Sequence, residues 1–128
     1  MHQASILSKQ LHKVLIVEDE GDICLLLNII LDGDNVDLEH VNTIAAAKQY
    51  LEEKEPALIM LDNKLPDGLG MDFIKYLKSN YPSIKILMIS GFQAAVTKDI
   101  ALENGADLYL EKPFTKEQIY QSVQTLLS

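Results

Sequence analysis

The sequence contains no arginine, no tryptophan and a single cysteine, and no apolar run in it approaches the roughly 18 residues of a membrane span. All 11 basic residues are therefore lysines, and 19 acidic residues bring the net charge to -8 at pH 7. Nucleic-acid binding relies on basic patches and often on arginine, so this composition disfavours direct contact with nucleic acid. A protein or a small ion is the expected partner.

The low cysteine content also indicates the kind of cellular compartment in which the protein resides. The lone Cys24 cannot form an internal disulfide, and its apolar neighbours suggest a small helix residue in a reducing environment. Residues 1–12 lack the long apolar core of a signal peptide, and we expect them to form a loosely ordered leader. We therefore expect a cytoplasmic protein without a membrane partner. The length of 128 residues fits a single domain, placed at residues 13–128.

What the sequence does contain is a series of short apolar runs, each typical of a buried parallel strand. Segments of helical periodicity separate these runs, which is the βαβ pattern of a parallel sheet covered on both faces. The predicted strands are residues 14–17, a weaker one at 36–40, 57–61, 84–89 and 107–110. The fold class predicted from this alternation is α/β.

The intervening helices have recognisable core stripes. The first has Ile23, Leu26, Leu27, Ile30 and Leu31, the second spans 43–53 with Ile44, Ala47 and Leu51, and the third has Phe73, Ile74 and Leu77. The fourth has Ala95, Ile100 and Ala101, and the last has Ile119, Val123, Leu126 and Leu127 after a capping box that begins at Thr115. Residues 63–68 contain Pro-Asp-Gly, which predicts a turn.

Four of the strands end at residues suited to phosphate and Mg²⁺ chemistry. In an open parallel sheet the ligand crevice lies beyond the carboxyl ends of the strands, so these residues are expected to converge. Glu18, Asp19 and Asp62 would bring three carboxyl groups to one crevice, and such an oxygen-rich set suits Mg²⁺. The alternative is that residues 18–20 form a solvated acidic turn that caps the next helix.

The other strand-end residues could act on a phosphoryl group. A carboxylate such as Asp62 can attack phosphorus and form an acyl phosphate, although it could instead cap a helix or turn. The hydroxyl of Ser90 could donate a hydrogen bond to a phosphoryl oxygen, although most such hydroxyls are structural. Lys112 could supply a positive point charge, although the usual lysine in a loop is simply exposed.

These residues lie in motifs that resemble a response regulator receiver domain of two-component signalling. The motifs are Leu15-Ile16-Val17-Glu18-Asp19-Glu20, the loop from Leu61 to Gly68, Ile89-Ser90-Gly91, and the segment from Gly105 to Phe114. All four occur in order, and the similarity extends from about Lys13 to Ser128. The resemblance implies a flavodoxin-like doubly wound (βα)5 fold, a three-layer sandwich whose five-stranded parallel sheet has the order 2-1-3-4-5.

The resemblance also implies a role for each site residue. Asp62 would accept a phosphoryl group from a phosphohistidine on a sensor histidine kinase or histidine phosphotransferase. Mg²⁺ would be bound by Asp19, Asp62 and the backbone carbonyl of Lys64, with Glu18 acting through a water where the family often has Asp. Ser90 and Lys112 would hold the phosphoryl oxygens, and the Lys112-Pro113 peptide bond would be cis.

Phosphorylation in this family switches a surface. Ser90 would move toward the phosphoryl group and Tyr109 would turn inward, changing the face formed by helix four, strand five and helix five for a downstream effector. Tyr109 could alternatively be ordinary strand packing. Lys64 and Phe92 occupy the positions that tune phosphoryl lifetime in the family. Such a protein is a switch that assists its own phosphorylation and autodephosphorylation rather than an enzyme.

Several further hypotheses follow. Leu25 and Ile29 lie opposite the core stripe of the first helix and could bind the helices of a phosphodonor, unless they are scattered surface residues. We expect a monomer or a weak dimer, either stand-alone or part of a longer protein. An Asp-nucleophile phosphatase fits poorly because Lys64 stands where that family has a second Asp. A pseudo-receiver, which binds proteins without phosphorylation, is the other alternative.

Overall fold

A computed structural model describes residues 11–91 and 94–128 of the chain. Parallel strands alternate with helices throughout, as the sequence predicts. The strands are β1 (His12–Val17), β2 (Val36–Val41), β3 (Leu58–Asp62), β4 (Lys64–Leu65), β5 (Gly68–Leu69), β6 (Lys85–Ser90) and β7 (Leu108–Glu111). The helices are α1 (Gly21–Leu31), α2 (Ile44–Leu51), α3 (Gly70–Asn80), α4 (Ala94–Asn104) and α5 (Lys116–Leu127).

The main sheet has the order β2-β1-β3-β6-β7, and all of its neighbouring strands are parallel. Because β6 and β7 are the fourth and fifth strands of this sheet, the predicted order 2-1-3-4-5 is confirmed. β2 lies on one side of β1, whereas β3, β6 and β7 lie on the other side. A doubly wound fold opens its crevice at this change of side, between β1 and β3. The fold is the flavodoxin-like α/β sandwich.

Alternate residues of the strands serve two separate cores. Leu15 and Val17 of β1 face a core completed by α2, α3 and α4, whereas Val14 and Ile16 face a core completed by α1 and α5. The same alternation occurs in β3, whose five residues are all buried. Apolar side chains on both faces explain why these strands appear in the sequence as continuous apolar runs.

The helix ends contain the predicted capping chemistry and a further cap from a distant loop. Gln118 N donates to Thr115 Oγ1 at 3.0 Å, and Thr115 N donates to Gln118 Oε1 at 2.8 Å, which confirms the capping box of α5. The N-terminus of α2 is also capped from outside, because Ile44 N and Ala45 N donate to the carboxylate of Asp67. These bonds lower the pKa of Asp67 and join the loop after β3 to α2.

The structure corrects several details of the predicted core. Leu26 is exposed and Cys24 is buried in its place, because apolar residues surround α1 and periodicity alone does not identify its inner face. Ala95 is likewise exposed. The predicted turn at 63–68 contains the small antiparallel pair β4 and β5. That pair has only two residues in each strand, which is too short to produce a periodic signal.

The strand boundaries differ by one or two residues from the predicted ones. Asp62 and Ser90 are the last residues of their strands, and His12 is the first residue of β1 rather than part of the leader. Residues 1–10 of the predicted leader and the predicted lifetime residue Phe92 lie outside the described residues. No helix in the described part of the chain is both long enough and apolar enough to cross a bilayer.

Candidate functional site

The carboxyl ends of β1, β3, β6 and β7 surround one cleft of about 440 Å³. Its position follows from the strand order, since these four strands are neighbours and end on the same edge of the sheet. The cleft brings together five of the predicted site residues, Asp19, Asp62, Lys64, Ser90 and Lys112. Its wall is formed by Asp19, Glu20, Asp62, Asn63, Lys64, Ser90, Gly91, Thr97 and Lys112.

Lys112 forms ion pairs with three carboxylates at this cleft. Its ammonium group lies 3.1 Å from Glu18 Oε1, 3.2 Å from Asp62 Oδ1 and 3.2 Å from Glu20 Oε1. Its backbone N–H donates to Ser90 O at 2.7 Å, and the peptide bond to Pro113 is cis. The main chain of Lys112 is therefore held against the end of β6 while its side chain extends across the cleft.

Two of the three carboxylates around Lys112 are buried, and their pKa values show the cost of that burial. The pKa of Asp62 is raised mainly by desolvation, although the adjacent Lys112 opposes the shift. The pKa of Glu18 is also raised, first by desolvation and then by the charge of Asp62. Burial lowers the pKa of Lys112, but Asp62 and Glu18 outweigh that effect and raise it to about 12. The cleft therefore contains more negative charge than one lysine neutralises.

The backbone around Glu18 keeps this acid inside the protein. Glu18 N donates to Val41 O at 3.0 Å, and Glu18 O lies 3.2 Å from His40 Nε2. The side chain accepts a hydrogen bond from Glu20 N at 3.1 Å. Glu18 is thus not part of a solvated turn, and Glu20 occupies the N-cap position of α1 without a side-chain capping bond. The alternative interpretation as a solvated acidic turn therefore does not hold for Glu18, whereas Asp19 and Glu20 are exposed.

Glu18, Asp19 and Asp62 can each place one carboxylate oxygen within 4.8 Å of the others. Oxygen ligands of this kind suit a hard divalent cation such as Mg²⁺. The raised pKa values of Glu18 and Asp62 also indicate that a cation would be favoured here, because it would offset charge that Lys112 leaves uncompensated. The donor set therefore fits the metal that the sequence predicts.

The segment after Asp62 is fixed by the start of α3. Asn63 O accepts a hydrogen bond from Gly70 N at 2.7 Å, and Asn63 Oδ1 accepts one from Met71 N at 2.9 Å. Gly70 approaches so closely that a Cβ added to it would lie 2.2 Å from Asp62 O. Asn63 and Gly70 thus position the carboxylate at the end of β3.

Comparison with known proteins places this arrangement in a family. The response regulator receiver domain family matches residues 14–124. The chain belongs to that family. The transcriptional regulatory protein KdpE of Escherichia coli (strain K12) is 38% identical over 101 residues, which cover 79% of this chain and 44% of KdpE. The response regulator PilR of Pseudomonas aeruginosa is 33% identical over 115 residues, which cover 90% of this chain and 26% of PilR.

Solved receiver structures have the same fold. The receiver domain of NtrX from Brucella abortus is 27% identical and superposes with a TM-score of 0.83, covering 89% of this chain and 97% of that one. The beryllofluoride-activated NtrC4 receiver domain dimer is 32% identical with a TM-score of 0.84, covering 89% of this chain and 94% of that one. This receiver domain therefore spans less than half of KdpE and PilR but nearly all of these receiver structures.

Three predicted residues of this receiver domain, Tyr109, Leu25 and Ile29, do not line the cleft. Tyr109 is partly buried on β7 and packs against the core between the sheet and α2, α3 and α4. Its hydroxyl is buried without a hydrogen-bond partner among residues 11–91 and 94–128. On α1, Leu25 and Ile29 are 61% and 65% exposed, so their side chains are available to a partner.

Sequence analysis missed four residues of the receiver site. Glu20 was grouped with the acidic turn, and no role was predicted for Asn63, Gly70 or Thr97. Asn63 begins the predicted turn segment after Asp62 and Gly70 follows it closely, so their positions were a signal that could have been used. Thr97 enters the cleft from α4, seven residues after Ser90, and that placement depends on where α4 begins and how it packs.

Proposed function

We propose that this receiver domain is a phosphoacceptor in two-component signalling. In this proposal Asp62 receives a phosphoryl group from a phosphohistidine on a sensor histidine kinase or a histidine phosphotransferase. The observation that supports it is the placement of Lys112 Nζ 3.2 Å from Asp62 Oδ1, in a cleft that Asp19 and Ser90 also line. A carboxylate nucleophile, a fixed cation and a hydroxyl donor are the groups that phosphoryl transfer to Asp requires.

The transfer step is a displacement at phosphorus. A carboxylate oxygen of Asp62 forms the new P–O bond while the P–N bond of the phosphohistidine breaks, and its electron pair returns to the imidazole nitrogen. Lys112 and Ser90 bind the equatorial oxygens, where negative charge is spread in the transition state. Positioning and charge stabilisation therefore lower the barrier to transfer. Asp62 needs no general base, because it attacks as a carboxylate.

We assign the metal to the acidic side of the cleft. Asp19, Asp62 and the backbone carbonyl of Lys64 would bind Mg²⁺ directly, and Glu18 would act through a water. The ion would supply positive charge to offset the phosphoryl oxygens and the buried carboxylates. Glu18 is longer than the Asp common in the family, and it already contacts Lys112. Its contribution is therefore to the charge balance around the ion and Lys112.

The output of the switch is assigned to the face formed by α4, β7 and α5. Ser90 would move toward the phosphoryl group, and Tyr109 would turn further inward into the space released. The hydroxyl of Tyr109 has no hydrogen-bond partner among the described residues, which supports this role, because a side chain without a polar anchor changes conformation at little cost. Downstream, the changed face would bind an effector domain or protein, as a signalling switch rather than as an enzyme.

The donor is proposed to dock on α1. This helix begins at Gly21, directly after Asp19 and Glu20, and its exposed apolar residues Leu25 and Ile29 lie about one and two turns further along it. A helix of the phosphohistidine protein could cover them and bring its histidine to Asp62. We place the reaction in the cytoplasm, where the buried thiol of Cys24 stays reduced.

Oligomerisation of this receiver domain is proposed to be weak. The NtrC4 receiver is described as a dimer in its beryllofluoride-activated form, whereas the absence of arginine in this sequence removes Arg-based ion pairs between copies. Measuring the molecular mass by light scattering, with and without beryllofluoride, tests this. A stable dimer in both conditions would contradict a monomer or weak dimer.

The phosphoacceptor proposal is tested with acetyl phosphate and Mg²⁺, with intact-mass spectrometry as the readout. The wild-type protein should gain one phosphoryl group, and Asp62→Asn or excess EDTA should prevent the gain. Asp99→Asn, an exposed acid on α4, is the matched control and should label like the wild type. Labelling that persists in Asp62→Asn would reject Asp62 as the acceptor. A wild-type protein that never labels would favour the pseudo-receiver alternative.

A further inference from the structure

Glu20 is the exposed member of the three acids that contact Lys112. Its Oε1 lies 3.2 Å from Lys112 Nζ, and its side chain is 62% exposed. Glu18 and Asp62 contact the same ammonium group, but their side chains are only 4% and 7% exposed. Glu20 is therefore the one carboxylate of these three that lines the cleft and is open to solvent, so an anionic phosphodonor can come near its charge.

The local structure shows that Glu20 is directed toward Lys112 rather than toward its own helix. Glu20 is the N-cap residue of α1, a position where a side chain commonly accepts a hydrogen bond from a free backbone N–H. It makes no such bond, and its backbone N–H instead donates to Glu18 Oε2 at 3.1 Å. The main chain of Glu20 thus orders Glu18, while its carboxylate pairs with Lys112.

We propose that Glu20 is a positioning residue that restrains Lys112 and slows phosphorylation of Asp62. Before transfer, the ammonium group is shared among Glu18, Glu20 and Asp62. During transfer it must turn toward the phosphoryl oxygens, and Glu20 competes with them for it. The negative charge of Glu20 also opposes the approach of an anionic donor. This inference rests on the proposed function, because it assumes that Asp62 accepts the phosphoryl group with the help of Lys112.

The test compares the rates at which acetyl phosphate phosphorylates the wild type, Glu20→Gln and Glu55→Gln at saturating Mg²⁺. Glu20→Gln keeps the size of the side chain and removes its charge. Glu55→Gln removes one charge from an exposed position that does not line the cleft. We expect Glu20→Gln to react about two- to fivefold faster, the range that corresponds to an exposed ion pair. Glu55→Gln should react like the wild type.

Ionic strength distinguishes this effect from a structural one. The advantage of Glu20→Gln should shrink as salt rises, because exposed charge interactions are screened. The thermal unfolding midpoint should stay close to that of the wild type. A rate for Glu20→Gln that equals or falls below the wild-type rate would overturn the inference, as would an equal gain in Glu55→Gln or an advantage independent of salt. Failure of the wild type to label at all would instead reject the proposed function.

Discussion

The ammonium group of Lys112 lies 3.2 Å from Asp62 Oδ1 although 50 positions separate the two residues in the sequence. Lys112 follows β7 at one edge of the sheet, and Asp62 ends β3 at its centre, with β6 between them. The long lysine side chain spans that intervening strand. This ion pair opposes the desolvation that raises the pKa of the buried Asp62 carboxylate, and it places a cation beside the proposed nucleophile.

Asp62→Asn should stabilise the protein in the absence of divalent metal. The pKa of Asp62 is raised in the folded state, so its charged form is disfavoured by folding at neutral pH. Asn removes that charge while Lys112 keeps Glu18 and Glu20 as partners, so the free energy of unfolding should rise at pH 7. Urea unfolding in EDTA measures the difference.

The stability difference between Asp62→Asn and the wild type should depend on pH. As the pH falls through the raised pKa of folded Asp62 toward the unfolded value of about 3.9, the wild-type carboxyl becomes protonated and its penalty disappears. The gain in the free energy of unfolding from Asp62→Asn should therefore be present at pH 7 and small near pH 4. An advantage that grows as the pH falls would contradict the raised pKa. The Asp99→Asn control should change little at either pH.

Gly70→Ala should both destabilise the protein and impair phosphorylation. The added Cβ would lie 2.2 Å from Asp62 O and 3.1 Å from Leu61 Cγ, so the end of β3 must shift. Overpacking of this kind costs about 1–3 kcal/mol. Gly21→Ala is the matched control, since Gly21 also begins a helix and a Cβ there would meet nothing within 4 Å. Thermal unfolding and acetyl phosphate labelling of both variants measure the effect, and equal behaviour would contradict the proposed close approach.

Leu25→Lys and Ile29→Lys should slow phosphotransfer from a phosphohistidine protein and spare labelling by acetyl phosphate. Both side chains are exposed, so the substitutions leave the core unchanged and alter only the proposed docking surface. Leu102→Lys, which changes an exposed apolar residue on α4, is the control. Transfer rates from a phosphorylated histidine phosphotransferase provide the measurement. Equal losses with both donors would show that the substitutions damage the site rather than docking.

The phosphoryl group on Asp62 should be lost several-fold faster in a Lys64→Asn, Phe92→Ala double variant. Lys64 is exposed and lines the cleft, where its side chain can occupy the route by which water reaches phosphorus. Phe92 is predicted to exclude water from the same route. The half-life of the phosphorylated protein after removal of acetyl phosphate is the measurement. A half-life as long as that of the wild type would count against this role.

The chain order of strands and helices was predictable because buried parallel strands leave continuous apolar runs and amphipathic helices leave a period of 3.6 residues. The placement of Asp19, Asp62, Ser90 and Lys112 at strand ends was predictable for the same reason. The inner face of α1 was not, since leucines and isoleucines surround that helix and only packing identifies Cys24 as buried and Leu26 as exposed.

The sequence by itself therefore determined the α/β class, the edge of the sheet that carries the chemistry and the residue types available there. Only the tertiary structure decided that Lys112 contacts Glu18 and Glu20 as well as Asp62, that Gly70 lies against Asp62 O, and that Thr97 enters the cleft. The physical reason is the distance along the sequence over which each interaction acts. Periodicity arises between neighbouring residues, whereas the pairing of Glu18 with Lys112 joins residues 94 positions apart and depends on strand order and register.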